Sequence, residues 1–162
     1  MEAKTADLCD THGDALRVLE EPLSDFGGLI AFGGPVHTIR AYEDNSLLRA
    51  ALAEPGQGRV LVVDGGGSLK RALLGDELAE LAVKNDWEGI VIFGCVRDSA
   101  ALAELEIGIK ALGTCPRKTD KSGQGLRDVA LRIGGVDIRP GDYLYADEDG
   151  VVVSDKRLLE AG

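Results

Sequence analysis

The 162-residue sequence predicts one α/β domain with a parallel strand–helix–strand centre and antiparallel additions. Three observations predict it. An apolar run (59–63), a helical pattern (77–85) and a second apolar run (89–96) follow one another, as in a parallel crossover, which is right-handed by rule. The second run, GIVIFGCV, has no charged position, which suits a strand covered on both faces. After residue 127 the chain becomes a series of short β-type runs divided by turn residues.

Taken in order, residues 28–40, GLIAFGGPVHTIR, predict two strands around a Gly-Gly-Pro turn. Residues 43–53 predict a helix with Leu47, Leu48, Ala51 and Leu52 on one side, capped by Asn45 or Ser46. A turn (54–58) leads into strand 59–63, which ends in Asp64 and three glycines. Residues 68–74 predict a short helix, interrupted by Gly75 and Asp76 before helix 77–85. Strand 89–96, helix 99–105, strand 107–113 and a Gly/Lys-rich loop (116–125) follow. Strands are expected at 128–133, 136–140, 142–147 and 150–154, with a short helix at 155–160. Pro140-Gly141-Asp142 and residues 147–150 are the turn signals between them. No internal repeat or long linker divides the chain, so the domain is expected to span 1–162.

Composition excludes several functions. The chain is 44% hydrophobic and 28% charged, a balance that folds rather than staying disordered. Aromatic residues are only 4%, so Val, Ile, Leu and Ala must fill the core. A net charge of −10 argues against direct nucleic-acid binding, which needs clustered cations. The one dense basic cluster, Arg117-Lys118-Thr119-Asp120-Lys121, reads as a solvated loop. Cys9, Cys95 and Cys115 form no CxxC pair and suit a reduced, cytoplasmic chain. His12 and His37 lie far apart, which leaves a Cys/His zinc site without support. The polar, acidic start MEAKTADLCD does not read as a secretory signal. No apolar run approaches the roughly 20 residues of a membrane helix.

Ligands of parallel sheets collect beyond the carboxyl ends of strands. Two such places exist: Asp64 with its three glycines, and Arg97-Asp98 after strand 89–96. Gly75 lets a ligand approach the backbone, and Asp76 suits the cap of helix 77–85. The amides of Glu77 and Leu78 then point outward to an anion. Arg97 can hold the same anion through its planar fork. Asp98 is a hard oxygen ligand for Mg²⁺ or Mn²⁺. Each part has a structural alternative: Asp64-Gly65 as a turn, Asp76 as a cap, Arg97-Asp98 as a surface ion pair. His12 and His37 read as turn and strand residues, Cys95 as an inert buried thiol, and Ser99 as a helix cap. Lys70 and Lys84 fall at wet helical positions, so no Schiff-base lysine is suggested.

At this point the chain resembles the RraA-like family, which holds regulator of ribonuclease activity A and the class II 4-hydroxy-4-methyl-2-oxoglutarate aldolases. The resemblance rests on TADLCD (5–10), DFGG (25–28), FGGPVHTIR (32–40), EDNSLL (43–48), GRVLVVDGGGSLKRALLGDELAELA (58–82), WEGIVIFGCVRD (87–98), IGIKALG (107–113) and PGDYLYADEDGVVVS (140–154). The aldolases carry Gly-Asp, a gap of twenty residues, then Arg-Asp; here residues 77–96 make up that gap. The resemblance implies a compact layered β/β/α domain and a homotrimer with sites at subunit interfaces. It implies that Gly75, Asp76, Glu77, Leu78 and Arg97 bind a small 2-oxo acid, and that Asp98 coordinates a divalent metal, Mg²⁺ or Mn²⁺.

The implied reaction is retro-aldol cleavage to pyruvate, with oxaloacetate decarboxylation beside it, both through pyruvate enolate. Arg97 and Asp76 are the implied catalytic residues, the first for the enolate charge and the second for the proton. Two features depart from the aldolase pattern. Ala101 stands where an acidic residue follows three positions after the Asp, and the chain reaches Gly162 without the acidic C-terminal extension of longer aldolases. The regulatory branch often lacks the metal aspartate, which is present here as Asp98. A second reading is therefore a non-catalytic regulator that binds ribonuclease E, whose basic segments suit an acidic partner. Methyl transfer is disfavoured, because DGGG (64–67) lacks a spaced acid for a cofactor ribose.

Overall fold

All-apolar strands need cover on both faces, and the two ends of this chain supply one of those covers. The computed structural model describes residues 4–158. In chain order it contains α1 (Thr5–His12), a 3-10 turn (Gly13–Ala15), β1 (Arg17–Val18), β2 (Ser24–Asp25), β3 (Phe32–Arg40) and α2 (Ser46–Leu52). Then come β4 (Val60–Asp64), β5 (Ala72–Leu74), α3 (Asp76–Lys84), β6 (Gly89–Val96), α4 (Ser99–Leu102) and β7 (Gly108–Thr114). The chain continues through β8 (Leu126–Arg127), β9 (Leu131–Ile133), β10 (Val136–Ile138), β11 (Tyr143–Asp147) and β12 (Gly150–Ser154).

The sheet order is β1-β12-β11-β3-β4-β6-β7-β2, with β3, β4, β6 and β7 parallel at its centre. This is the expected α/β architecture. Alternation along β4 separates two cores. Leu61 and Val63 face Leu48, Leu52, Leu78, Ala82 and Leu102 of the helices. Val60 and Val62 face Phe32, Leu131, Ile133, Ile138, Leu144, Val151 and Val153 of the β layer. All four β4 side chains are fully buried, and each such burial contributes about 1.5–3 kcal/mol. Helices therefore lie on one side of the parallel strands and antiparallel strands on the other. No helix among the described residues is long and apolar enough to cross a membrane.

Several local expectations need correction. Residues 32–40 are one strand, not two around a turn. β3 changes partner instead: Phe32–Pro35 pairs antiparallel with β11, and Val36–Arg40 pairs parallel with β4. Gly34 permits this, because a Cβ there would lie 2.2 Å from the Gly58 carbonyl oxygen. The helix expected at 68–74 is absent; Ala72–Leu74 is strand β5, buried throughout and paired parallel with Cys95 and Val96. Periodicity could not reveal it, since a run covered on both faces has no alternation. Helix 99–105 stops at Leu102, and the strand expected at 128–133 is confined to β9. Residues 155–158 are not helical, and residues 159–160 of that expected helix lie outside the described residues. Helix α1, unforeseen, begins where Asp147 of β11 accepts hydrogen bonds from the Thr5 amide (2.8 Å) and hydroxyl (2.6 Å).

Candidate functional site

The end of β6 and the start of α3 meet through backbone contacts. The Arg97 amide donates to the Leu74 carbonyl at 2.9 Å, which ties the strand end to β5 just before Gly75. Asp98 then turns the chain with φ 59° and ψ 40°, a left-handed conformation uncommon outside glycine. Such backbone costs on the order of 1 kcal/mol and is concentrated at functional sites. It directs the Asp98 carboxylate at α3, where Oδ2 accepts the Asp76 amide at 3.1 Å.

That contact corrects the capping expectations. Gly75, not Asp76, occupies the cap position of α3, and Asp76 is the first helical residue. The capping acceptor is Asp98 from another element, so residue 75 needs no side chain. It also has no room for one: a Cβ on Gly75 would lie 2.7 Å from Asp98 Oδ2 and 3.4 Å from Arg97 Nε. Likewise Asp98, not Ser99, precedes α4 as its cap residue, and Asn45 precedes α2 without a side-chain cap bond. The acceptor at the start of α2 is Asp44, whose Oδ1 takes the Ser46 amide at 2.9 Å.

A cleft of about 480 Å³ opens over this junction. Gly75, Asp76, Glu77, Leu78, Arg97 and Asp98, the six residues singled out from the sequence, all line it. Asp64 does not; its Oδ1 accepts the Gly66 amide at 2.9 Å, so that strand end is a turn. Arg97 and Asp98 make no ion pair with each other, and the surface-pair alternative fails on that point. His37 lies within β3, and His12 is the last residue of α1 rather than part of a turn. Cys95 is fully buried, and burial first, then nearby Cys115, pushes its thiol pKa up, as an inert thiol requires. Lys70 lies outside any helix, Lys84 is an exposed α3 residue, and buried Lys110 pairs with Asp25 at 3.1 Å.

Four further lining residues escaped the sequence reading: Asn45, Arg49, Lys118 and Lys121. The two lysines belong to the cluster read as a solvated loop. Residues 117–124 form a pinned strap instead. The Ala72 amide donates to the Arg117 carbonyl at 2.7 Å, and Arg71 Nη1 to the Lys118 carbonyl at 3.1 Å. Buried Thr119 donates its hydroxyl to Asn45 Oδ1 at 2.9 Å, while Asn45 Nδ2 donates to the Leu73 carbonyl at 3.2 Å. Buried Asp44 accepts the amides of Ser46, Ser122 and Gln124 and the hydroxyls of Ser46 and Ser122. Burial pushes its carboxyl pKa up, but these hydrogen bonds outweigh burial and hold it far below the usual carboxylate range.

The oxygen donors in the cleft are the carboxylates of Asp76, Glu77 and Asp98. No group of three or more His, Cys, Asp and Glu gathers for a metal among the described residues. A single carboxylate with open space beside it does fit Mg²⁺ or Mn²⁺, which keep waters and take ligand oxygens. The bare Gly75 backbone keeps that space open.

Comparison with known proteins agrees with this layout. The RraA-like family model, described as Aldolase/RraA, matches residues 5–153. A protein of Alkalilimnicola ehrlichii provisionally named 4-hydroxy-4-methyl-2-oxoglutarate aldolase is 55% identical, over 99% of this chain and 100% of its own length. A crystal structure from Geobacillus kaustophilus, described as an S-adenosylmethionine:2-dimethylmenaquinone methyltransferase, is 52% identical with a TM-score of 0.94, covering 99% of this chain and 100% of that one. The RNA-processing inhibitor RraA from Thermus thermophilus is 45% identical with a TM-score of 0.95, covering 99% and 98%.

Proposed function

The chain belongs to the RraA-like family, and on that premise we propose that it is a divalent-metal-dependent aldolase. It cleaves 4-hydroxy-4-methyl-2-oxoglutarate to pyruvate and decarboxylates oxaloacetate as a side reaction. The observation that carries this reading is the junction of Arg97, Asp98 and the α3 start around one cleft. Nine-residue α3 presents the amides of Glu77 and Leu78, which bind the substrate carboxylate with the helix dipole behind them. Arg97, half-buried and without an ion-pair partner among the described residues, balances the charge that builds as the C3–C4 bond breaks. Asp98 holds the divalent cation, which supplies Lewis-acid stabilisation of the enolate. Asp76 orients a water that takes the C4 hydroxyl proton and returns one to C3 of the enolate. The working form is a cytoplasmic homotrimer.

The test is pyruvate release from oxaloacetate with Mg²⁺, with and without chelator. Asp98→Ala should lower turnover by about 10²-fold or more, the scale of losing a principal electrostatic stabiliser. Unchanged turnover overturns the assignment. The Thermus relative supports a second reading, regulation of ribonuclease E by surface contact, which the net charge of −10 suits. Capture of ribonuclease E that survives Asp98→Ala would support it. Methyl transfer is not carried over from the Geobacillus protein, because the DGGG segment is a turn outside the cleft.

A further inference from the structure

Acidic residues outnumber basic ones 28 to 18 in this chain, so a basic side chain without an acidic partner stands out. Arg17, Arg40, Lys110, Arg127 and Arg132 all have carboxylate partners. Arg49, Arg97, Lys118 and Lys121 line the cleft, and none of the four is in an ion pair among the described residues. Gathered like charges repel, and their convergence on one concavity is favourable only when an anion sits there.

The four divide by the elements that carry them. Arg97 stands beside Gly75 and Asp98 at the α3 start. Arg49 comes from α2, and Lys118 and Lys121 from the strap. Asn45 binds both Leu73 and Thr119, so the α2 start, β5 and the strap form one wall. Lys118 is held at its backbone on both sides, by the Ala72 bridge and by Thr119. Its ammonium group and the Arg49 guanidinium have no structural contact to explain them.

We propose that Arg49 and Lys118 form a second anion subsite, which selects 2-oxo acids bearing a second carboxylate. This rests on the aldolase reading above and deepens it. The first carboxylate is matched by the α3 amides and Arg97, and one carboxylate leaves Arg49 and Lys118 uncompensated. The cleft, at about 480 Å³, falls among pockets that take ligands much larger than a three-carbon acid. Arg49 adds a planar fork suited to a carboxylate, and Lys118 adds a point charge beside it.

The experiment compares binding of 2-oxoglutarate and 2-oxopentanoate, which share length and 2-oxo head and differ in the distal carboxylate. Calorimetry with Mg²⁺ on the full chain should show the dicarboxylate favoured by about 10-fold or more, as charge-assisted pairing implies. Arg49→Gln and Lys118→Gln should each reduce that preference, and together abolish it. Both residues are exposed, so each variant should fold, which its melting curve confirms. A wild-type protein without the preference, or variants that keep it, overturns the proposal. A preference that behaves as expected in a protein with no turnover leaves the subsite standing and removes the aldolase reading. Turnover without the preference does the reverse.

Discussion

The two ends of the parallel strands carry similar cations in opposite states. Toward their amino ends, the Arg59 guanidinium stacks 4.7 Å from the Trp87 ring. Arg127 donates to both Glu54 carboxylate oxygens, at 2.7 and 3.1 Å, and from Nε to His37 Nε2 at 3.2 Å. Trp87 donates its indole N–H to the Glu54 carbonyl at 3.1 Å. Each of these cations is satisfied within the chain. Beyond the carboxyl ends, Arg97, Arg49, Lys118 and Lys121 are not, and Asp98 sits in a left-handed conformation beside a glycine with no room for a methyl group. Residue type is the same at both ends; satisfaction differs. The paired end serves stability, and the unpaired, strained end is where a ligand completes the structure.

The largest effect is expected from Gly75→Ala. The added methyl meets Asp98 Oδ2, a side-chain atom that can swing away, so the carboxylate moves and the fold survives. We expect kcat/KM for oxaloacetate to fall about 10²-fold, since ångström-scale misplacement has that effect, with Tm nearly unchanged. A large drop in Tm instead would make Gly75 a packing residue.

Asp44→Ala comes next and lies between the two regimes, because this residue is fully satisfied yet holds the strap over the cleft. Removing it strips the acceptor from three amides and should cost about 2 kcal/mol in urea unfolding. The wild-type carboxyl titrates below its ordinary value of 3.8, so its contribution is full above that pH and is lost as pH falls further. The variant should lack that share of acid lability below pH 3.8.

At the paired end, Arg127→Ala should cost about 1 kcal/mol, the partial exposure of Arg127 and Glu54 limiting the loss, and spare turnover. The His37 imidazole titrates below its ordinary 6.5, through burial first and the Arg127 charge second. Its neutral form is therefore the folded form, and wild-type stability declines as pH falls below 6.5. In Arg127→Ala the NMR-measured pKa should rise part of the way back, because burial remains. The smallest effect belongs to the exposed Arg132–Asp137 pair, 2.9 Å apart. Arg132→Ala should change stability by less than about 0.5 kcal/mol.

How much of the site was legible follows from these distances along the chain. Asp76, Arg97 and Asp98 stand at ends of elements whose periodicity is local, so a strand-end rule finds them. Asn45, Arg49, Lys118 and Lys121 gave no such signal. They reach the cleft through contacts such as Asn45 to Thr119 and Asp44 to Ser122, whose partners are 74 and 78 residues apart. Strand β5 was misread for a related reason: its partners Cys95 and Val96 lie outside any local window.

The apolar runs at 59–63 and 89–96, the glycines between them and the Arg97-Asp98 pair determine by themselves a parallel centre with a polar strand end. Hydrophobic periodicity is a property of neighbours in sequence, and it survives any arrangement of the rest. Which charges are neutralised is not such a property. Arg127 meets Glu54 across 73 residues and Thr5 meets Asp147 across 142, while Arg49 and Lys118 reach the cleft and find no carboxylate. Only the tertiary structure decides those pairings, because Coulomb and hydrogen-bond energies depend on distances of a few ångströms in space.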